Sequence, residues 1–239
     1  KNKIWENSIL SSSVISWMLN IDIIINNGTF DFKKKVFQNI IYQCNHLRKN
    51  IKYEKNPVKR IQVLTALILS GIVFKEYKSN YEEGIRELEK FVKHYFDSDG
   101  FPFTRNPNDL IFFTQYLLLC YENINEAQKF MPEFLSEIIQ KNLLCIKFFK
   151  TPDDKLPLFN GSSENNVNHF EKYLEKLKLS KKDKKNTVGG IFFAKSKNQV
   201  LYFDVGSPPE KKFSRNYQSG PLSFEYYLDG KKIISNSGF

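Results

Sequence analysis

Cysteine is scarce: Cys44, Cys120 and Cys145 are the only three in 239 residues, widely spaced and each set in an apolar helical pattern. Such spacing builds neither a disulfide framework nor a zinc ligand set, so all three read as buried thiols. Histidine is as rare. His46, His94 and His169 stand alone, with no second His or Cys at ligand spacing, so no metal site is expected. Eleven Gly and nine Pro rule out collagen-like and proline-rich classes. No apolar run reaches the roughly 18 residues that would cross a bilayer, so no membrane insertion is expected. Neither a Ser-His-Asp arrangement, a phosphate-binding glycine loop nor a zincin motif occurs. The chain starts at Lys1 with no basic-then-apolar leader behind it, and reads as truncated at that end.

What is present is a foldable composition: 41% hydrophobic, 15% aromatic and 26% charged residues. A chain of this size buries roughly 70–75% of its unfolded surface. The net charge is +10. A basic surface attracts polyanions, whether nucleic acid, anionic lipid or acidic polysaccharide. The abundance of Lys beside Asn, Ile and Phe is equally what an AT-rich genome produces. No basic recognition helix or RNA-binding strand motif stands out, so nucleic acid is not the expected partner.

Up to about residue 150 the apolar period is helical. The spacing predicts helices over residues 5–26, 31–47, 57–74, 79–96, 107–121 and 132–149, with Asp31 capping the second and Pro57, Pro107 and Pro132 opening the third, fifth and sixth. Residues 61–74 and 110–121 are almost wholly apolar and should be the buried layer, including Leu67 and Leu118. The second and fourth helices should show a charged outer face. Alternation of amphipathic and buried helices suits stacked helical pairs in a solenoid or toroid.

After residue 150 the pattern changes. A loop-rich connector over residues 151–185 holds a short helix at 168–179 and a Lys-rich linker at 179–186. From Gly189 the period becomes 2, predicting strands at 191–194, 200–205, 222–228 and 232–235, with hairpin turns at Asn198 and Asp229-Gly230. The expected fold class is α+β: a helical domain over 1–185, then the start of an antiparallel β domain over 186–239. Four strands cannot cover their own apolar face. The chain is therefore expected to be a fragment lacking both ends, with aggregation-prone sheet surface.

Three clusters hold polar residues beyond what local structure needs. Residues 97–108, DSDGFPFTRNPN, carry Arg105 and Asn106 at the mouth of a buried helix. Residues 158–163 read LFNGSS. Residues 215–225, RNYQSGPLSFE, lead into a strand whose Glu225 shares a face with Ser223 and Tyr227. A planar, five-donor Arg beside a concave wall suits a carboxylate.

Taken in order, Asp99-Gly100 with Arg105-Asn106-Pro107, then Leu158-Phe159-Asn160-Gly161, then Asp204, Gly206, Pro208-Pro209, Gly220, Leu222-Ser223-Phe224-Glu225 and Asn236-Ser237-Gly238 resemble the bacterial heparinase II/III-like proteins. The resemblance implies an incomplete α/α toroid of antiparallel helices followed by the start of an antiparallel β-sandwich. It also implies polysaccharide lyase chemistry on uronic-acid glycans, heparin-like or alginate-like, without a cofactor, in the periplasm or cell envelope. On this basis Arg105 is expected to take the uronate carboxylate. Asn106 and Gln218 would donate to sugar hydroxyls, and Glu225 would orient Arg105 or a hydroxyl. Where similar proteins carry His, this chain has Pro102 and Gln218, and Asn108-Asp109 stand where lytic members place a Tyr. Tyr217 is the one titratable group left beside Gln218, and so the weak candidate for a catalytic base. A glycan-binding member without lyase activity is the alternative, and a helical interaction or nucleic-acid-binding scaffold the third.

Overall fold

The computed structural model describes residues 5–177, 185–218, 220 and 222–236. The Lys-rich stretch at 178–184, and Ser219, Pro221 and residues 237–239 of the quoted motifs, lie outside the described residues. Among the described residues, helices are followed by an antiparallel sheet, the α+β order the periodicity gives. The helices are α1 (Asn7–Leu19), α2 (Ile21–Asn27), α3 (Phe30–Asn50), α4 (Pro57–Val73), α5 (Lys78–Tyr95), α6 (Pro107–Glu126), α7 (Glu133–Phe149) and α8 (Glu171–Lys176). The strands are β1 (Thr187–Val188), β2 (Ile191–Lys195), β3 (Gln199–Asp204), β4 (Phe224–Leu228) and β5 (Lys231–Ile234).

By contacts the chain divides into two compact units. One holds residues up to Val92 together with Tyr116–Leu135, and the other holds Lys93–Gln115 with the chain from Ser136 onward. In the first, α4 is the centre. Asn56 caps it, its side-chain oxygen accepting from Val58 N (3.0 Å) and Lys59 N (3.3 Å), and Pro57 fits the first turn where no N–H is needed. From Val63 to Gly71 every residue is buried, Leu67 completely, and α1 and α3 pack against this helix. Gln62 and Thr65 reach the second half of α6, at Tyr116 Oη (3.0 Å) and Cys120 Sγ (3.5 Å). Leu118 is buried as expected.

Three local expectations need correction. The single helix expected over 5–26 breaks at Asn20 into α1 and α2, bent by 58°. The cap of α3 is Thr29, whose hydroxyl accepts from Phe32 N (3.3 Å), and Asp31 sits in the first turn instead. The helix from Pro107 runs on to Glu126, because Tyr121, Glu122 and Asn125 are tolerated on its polar side.

In the second unit the strands form a five-stranded antiparallel meander in sequence order. The β4–β5 hairpin turns at Asp229 and Gly230, both at positive φ (48° and 79°), as a two-residue turn of that twist requires. β1 was not foreseen: two residues are too few to show a period. Strand alternation places Val200, Tyr202, Asp204, Glu225 and Tyr227 on one buried face, with Tyr202 opposite Glu225. Two carboxylates therefore enter an aromatic interior, and what satisfies them defines the site. On the other face Leu201, Phe203 and Tyr226 are half-buried, while Phe224 is exposed.

Candidate functional site

The loop between α5 and α6 is shaped by its own polar groups. Asp97 Oδ1 accepts from Asp99 N (2.9 Å) and Phe101 N (2.8 Å), closing an Asx turn. Asn142 Nδ2 on α7 donates to Gly100 O (2.8 Å), fixing the loop from below. Asn106 caps α6 through Asn108 N (2.8 Å). Between these anchors Arg105 takes φ +57°, a left-handed conformation that an L side chain adopts at a cost. Asn160 of the LFNG turn holds that conformation, donating from Nδ2 to Arg105 O (2.9 Å).

The Arg105 side chain then runs into the sheet. Its Nε donates to Gly189 O (2.8 Å), Nη1 to Ser207 O (2.7 Å) and Nη2 to Asp204 Oδ1 (2.5 Å). Gly190 and Gly206 make room for it: a Cβ on either would lie 2.8 Å or 2.5 Å from Nη2. Gly206 N adds a bond to the same Asp204 oxygen (3.1 Å). The Arg-Asn-Pro and Asp-x-Gly motifs are thus two halves of one clamp. Arg105 is 7% exposed and Asp204 1%.

The remaining motifs close around it. Glu225, fully buried, accepts from Leu158 N (3.2 Å), Tyr227 Oη (3.1 Å) and Lys232 Nζ (3.3 Å). Asn236 Nδ2 donates to Leu158 O (2.6 Å). Gly161 lies against Asn216, where a Cβ would come within 2.4 Å of the Asn216 carbonyl oxygen. Loop, LFNG turn and the strand carrying LSFE form a single hydrogen-bonded knot.

The five expected site residues fall in different surroundings. Arg105 has its carboxylate already, from Asp204 inside the chain. Asn106 is 3% exposed and spends its side chain on the helix cap. Glu225 holds the LFNG backbone and a lysine and has no bond to Arg105. Tyr217 is half-buried, and its hydroxyl is enclosed without a partner among the described residues. Gln218 alone of the five is exposed. Asp204 and the glycines that admit Arg105 were missing from the expected site; the Gly189-Gly190 pair and the Asp-x-Gly spacing were their signal.

A cavity of about 460 Å³ opens beside the clamp, lined by Asp97, Asp99, Phe103, Arg105, Glu210 and Phe213 among others. Asp99 in its lining is paired with Lys185 and Glu210 with Lys212 (3.0 Å), as Arg105 is with Asp204. Burial pushes the Asp97 carboxyl above its ordinary range, with Asp99 adding to the effect while backbone N–H groups oppose it. Asp109, in the first turn of α6, is also pushed up by burial, opposed by a hydrogen bond from Thr104. No group of three or more His, Cys, Asp or Glu side chains suited to a metal ion is found among the described residues.

Comparison with known proteins matches the chain to two family profiles in order: Heparinase II/III N-terminus over residues 16–186 and Heparinase II/III-like, C-terminal over residues 179–239. No curated protein matches in sequence. Among solved structures, a crystal structure of heparinase III superposes with a TM-score of 0.80 at 17% identity, covering 98% of this chain and 43% of that one. A mutant of heparan sulfate lyase HepC from Pedobacter heparinus gives 0.77 at 19% identity, covering 98% and 41%. The heparinase III BT4657 gene product with methylated lysines gives 0.78 at 16%, covering 98% and 40%. The chain spans about two fifths of the length of these relatives, and the likeness is one of fold.

Proposed function

The chain belongs to the heparinase II/III family, and from that premise we propose that it is part of a polysaccharide lyase-like protein acting on uronic-acid glycans by β-elimination. The observation that carries this reading is the knot itself. The motifs on which the family resemblance rests, far apart in sequence, are the residues that bond to one another: Arg105 to Asp204, Asn160 to the Arg105 carbonyl, Leu158 to Glu225.

Elimination removes the proton at C5 of a uronate and expels the 4-O-linked sugar. The step requires neutralisation of the adjacent carboxylate and a base for the proton. Within this reading Arg105, Asp204 and Asn160 are positioning residues that set the backbone of the α5–α6 loop. Gln218 is the contact offered to a sugar hydroxyl, and Tyr217 is the titratable group beside it. An extracellular polymer as substrate fits a periplasmic or cell-envelope location. Incubation with heparan sulfate, heparin or alginate should raise absorbance near 232 nm as the unsaturated uronate forms.

A second reading, binding of acidic glycan without cleavage, is favoured by one observation: Gln218 cannot accept a proton at neutral pH, and the neighbouring Tyr217 hydroxyl is enclosed. Saturable glycan binding with a flat absorbance trace would select it.

A further inference from the structure

A second cavity, of about 470 Å³, shares no lining residue with the one beside Arg105. It lies where the end of α7 meets the β2–β3 hairpin. Lys147 comes from the last turn of α7 and Lys150 from just past its end, Lys195 and Lys197 from the hairpin. Lys150 pairs with Asp154 (2.9 Å). The other three lysines are exposed and pair with no carboxylate among the described residues. Beneath them is a fixed aromatic floor. The Tyr202 hydroxyl donates to Phe148 O (3.3 Å) and Lys150 O (3.2 Å), and the half-buried Phe193 ring packs 5.2 Å from Tyr202 and 5.3 Å from Phe148.

Separate structural roles exist for parts of this. A lysine in the last turn of α7 complements the helix dipole, and lysines at a hairpin tip keep it soluble. Neither accounts for four lysines converging from two distant segments on one cavity with an aromatic base. The cations at or beside the family-motif cavity, Arg105, Lys185 and Lys212, are each paired with a carboxylate, whereas Lys147, Lys195 and Lys197 are not and would attract an acidic polymer.

We propose that the α7–hairpin cavity is an acidic-sugar subsite. Lys147, Lys195 and Lys197 hold the carboxylate or sulfate of one sugar unit, and the unit's C–H face rests on Phe193. Its size is in the range of small-molecule sites, roughly 300–1,000 Å³. The inference rests on the acidic-glycan reading above and names a place where the glycan is gripped away from the motif knot.

The test is a fluorescence-polarisation titration of the full chain with labelled heparin tetrasaccharide, a neutral chitin tetrasaccharide and single-stranded DNA of matching charge. The variants are Lys195→Ala/Lys197→Ala, Lys195→Glu/Lys197→Glu and, as a charge-matched control on α3, Lys34→Ala/Lys35→Ala. Thermal melts followed by circular dichroism confirm that these surface changes leave the fold intact. The wild type should bind the heparin tetrasaccharide and not the neutral one. The hairpin alanine pair should lose about tenfold in affinity and the glutamate pair more, while the α3 pair stays within about twofold. Equal loss in the hairpin and α3 pairs overturns the subsite in favour of general charge attraction. DNA binding as tight as heparin, lost with the same hairpin pair, overturns its assignment to a sugar. Wild-type heparin binding that no hairpin variant weakens overturns the subsite and leaves the glycan reading standing. No binding of the acidic tetrasaccharide by the wild type, with none of heparan sulfate or alginate, overturns both.

Discussion

Arg105→Ala is expected to act on stability. The side chain makes three hydrogen bonds, one of them to a carboxylate that is 1% exposed. Truncation leaves Asp204 buried with the Gly206 N–H as its remaining donor on Oδ1. Breaking one partner out of a buried ion pair costs about 3–5 kcal/mol, because the other charge stays desolvated. Alanine at φ +57° pays the same backbone cost as arginine, so the loss reports the side chain. Urea unfolding followed by circular dichroism gives the number. With Asp204→Asn as the second variant, the double mutant should cost less than the sum of the singles by about 1–3 kcal/mol, the signature of direct coupling. A small loss of stability, under about 0.5 kcal/mol, together with weakened acidic-glycan binding would refute this account and make Arg105 a ligand group.

Further outcomes follow from the same contacts. Gly206→Ala should destabilise by about 1–3 kcal/mol, since its Cβ would press on Nη2 at 2.5 Å and on Gly190 Cα at 2.8 Å; the penalty should shrink in an Arg105→Ala background, as measured by the same urea titration. Asp97 has a folded-state pKa raised above its ordinary 3.8, so its folded state holds the proton more tightly and stability falls as pH rises through that window. Asp97→Asn, which keeps the Oδ1 acceptor, should therefore be more stable than wild type at pH 7, with the gap closing as the pH drops towards 3.8. Burial pushes the thiols of Cys44 up to about 11 and Cys120 up to about 12, and raises Cys145 as well. A thiol reagent at pH 8 should label none of the three in the native chain and all three in urea; fast labelling of the folded chain would contradict their burial.

Much of the fold was legible because it depends on periodicity. The run from Val63 to Leu69, apolar but for Thr65, had to be covered on every side, and α4 is. Asp229-Gly230 specified a two-residue hairpin, and the alternation from Val200 to Asp204 specified which residues share a face. The errors fall where competing local signals are close in strength. Thr29 and Asp31 are both good caps, and the choice between them depends on which one begins the α3 turn. Asn20 ends α1 although the apolar residues continue to Ile25, and Ile23 and Ile25 are left exposed.

The site was half legible, for a different reason. Residue type and order identified the motifs, but the partner of Arg105 is 99 positions away and is itself a carboxylate, the group expected from a ligand. Nothing in a linear reading separates an arginine waiting for an external acid from one that meets an internal acid. Burial separates them. An arginine that is 7% exposed, threaded between Gly190 and Gly206 with Nε, Nη1 and Nη2 all engaged, is a brace. Once it is, the positive charge available to an acidic polymer must come from side chains that remain in solvent. Among those are Lys147, Lys195 and Lys197, which line the cavity between α7 and the β2–β3 hairpin. Family motifs that fix a loop and cations left exposed to solvent then answer to different constraints. The first must fit one interior to within a methyl group; the second need only face the same field.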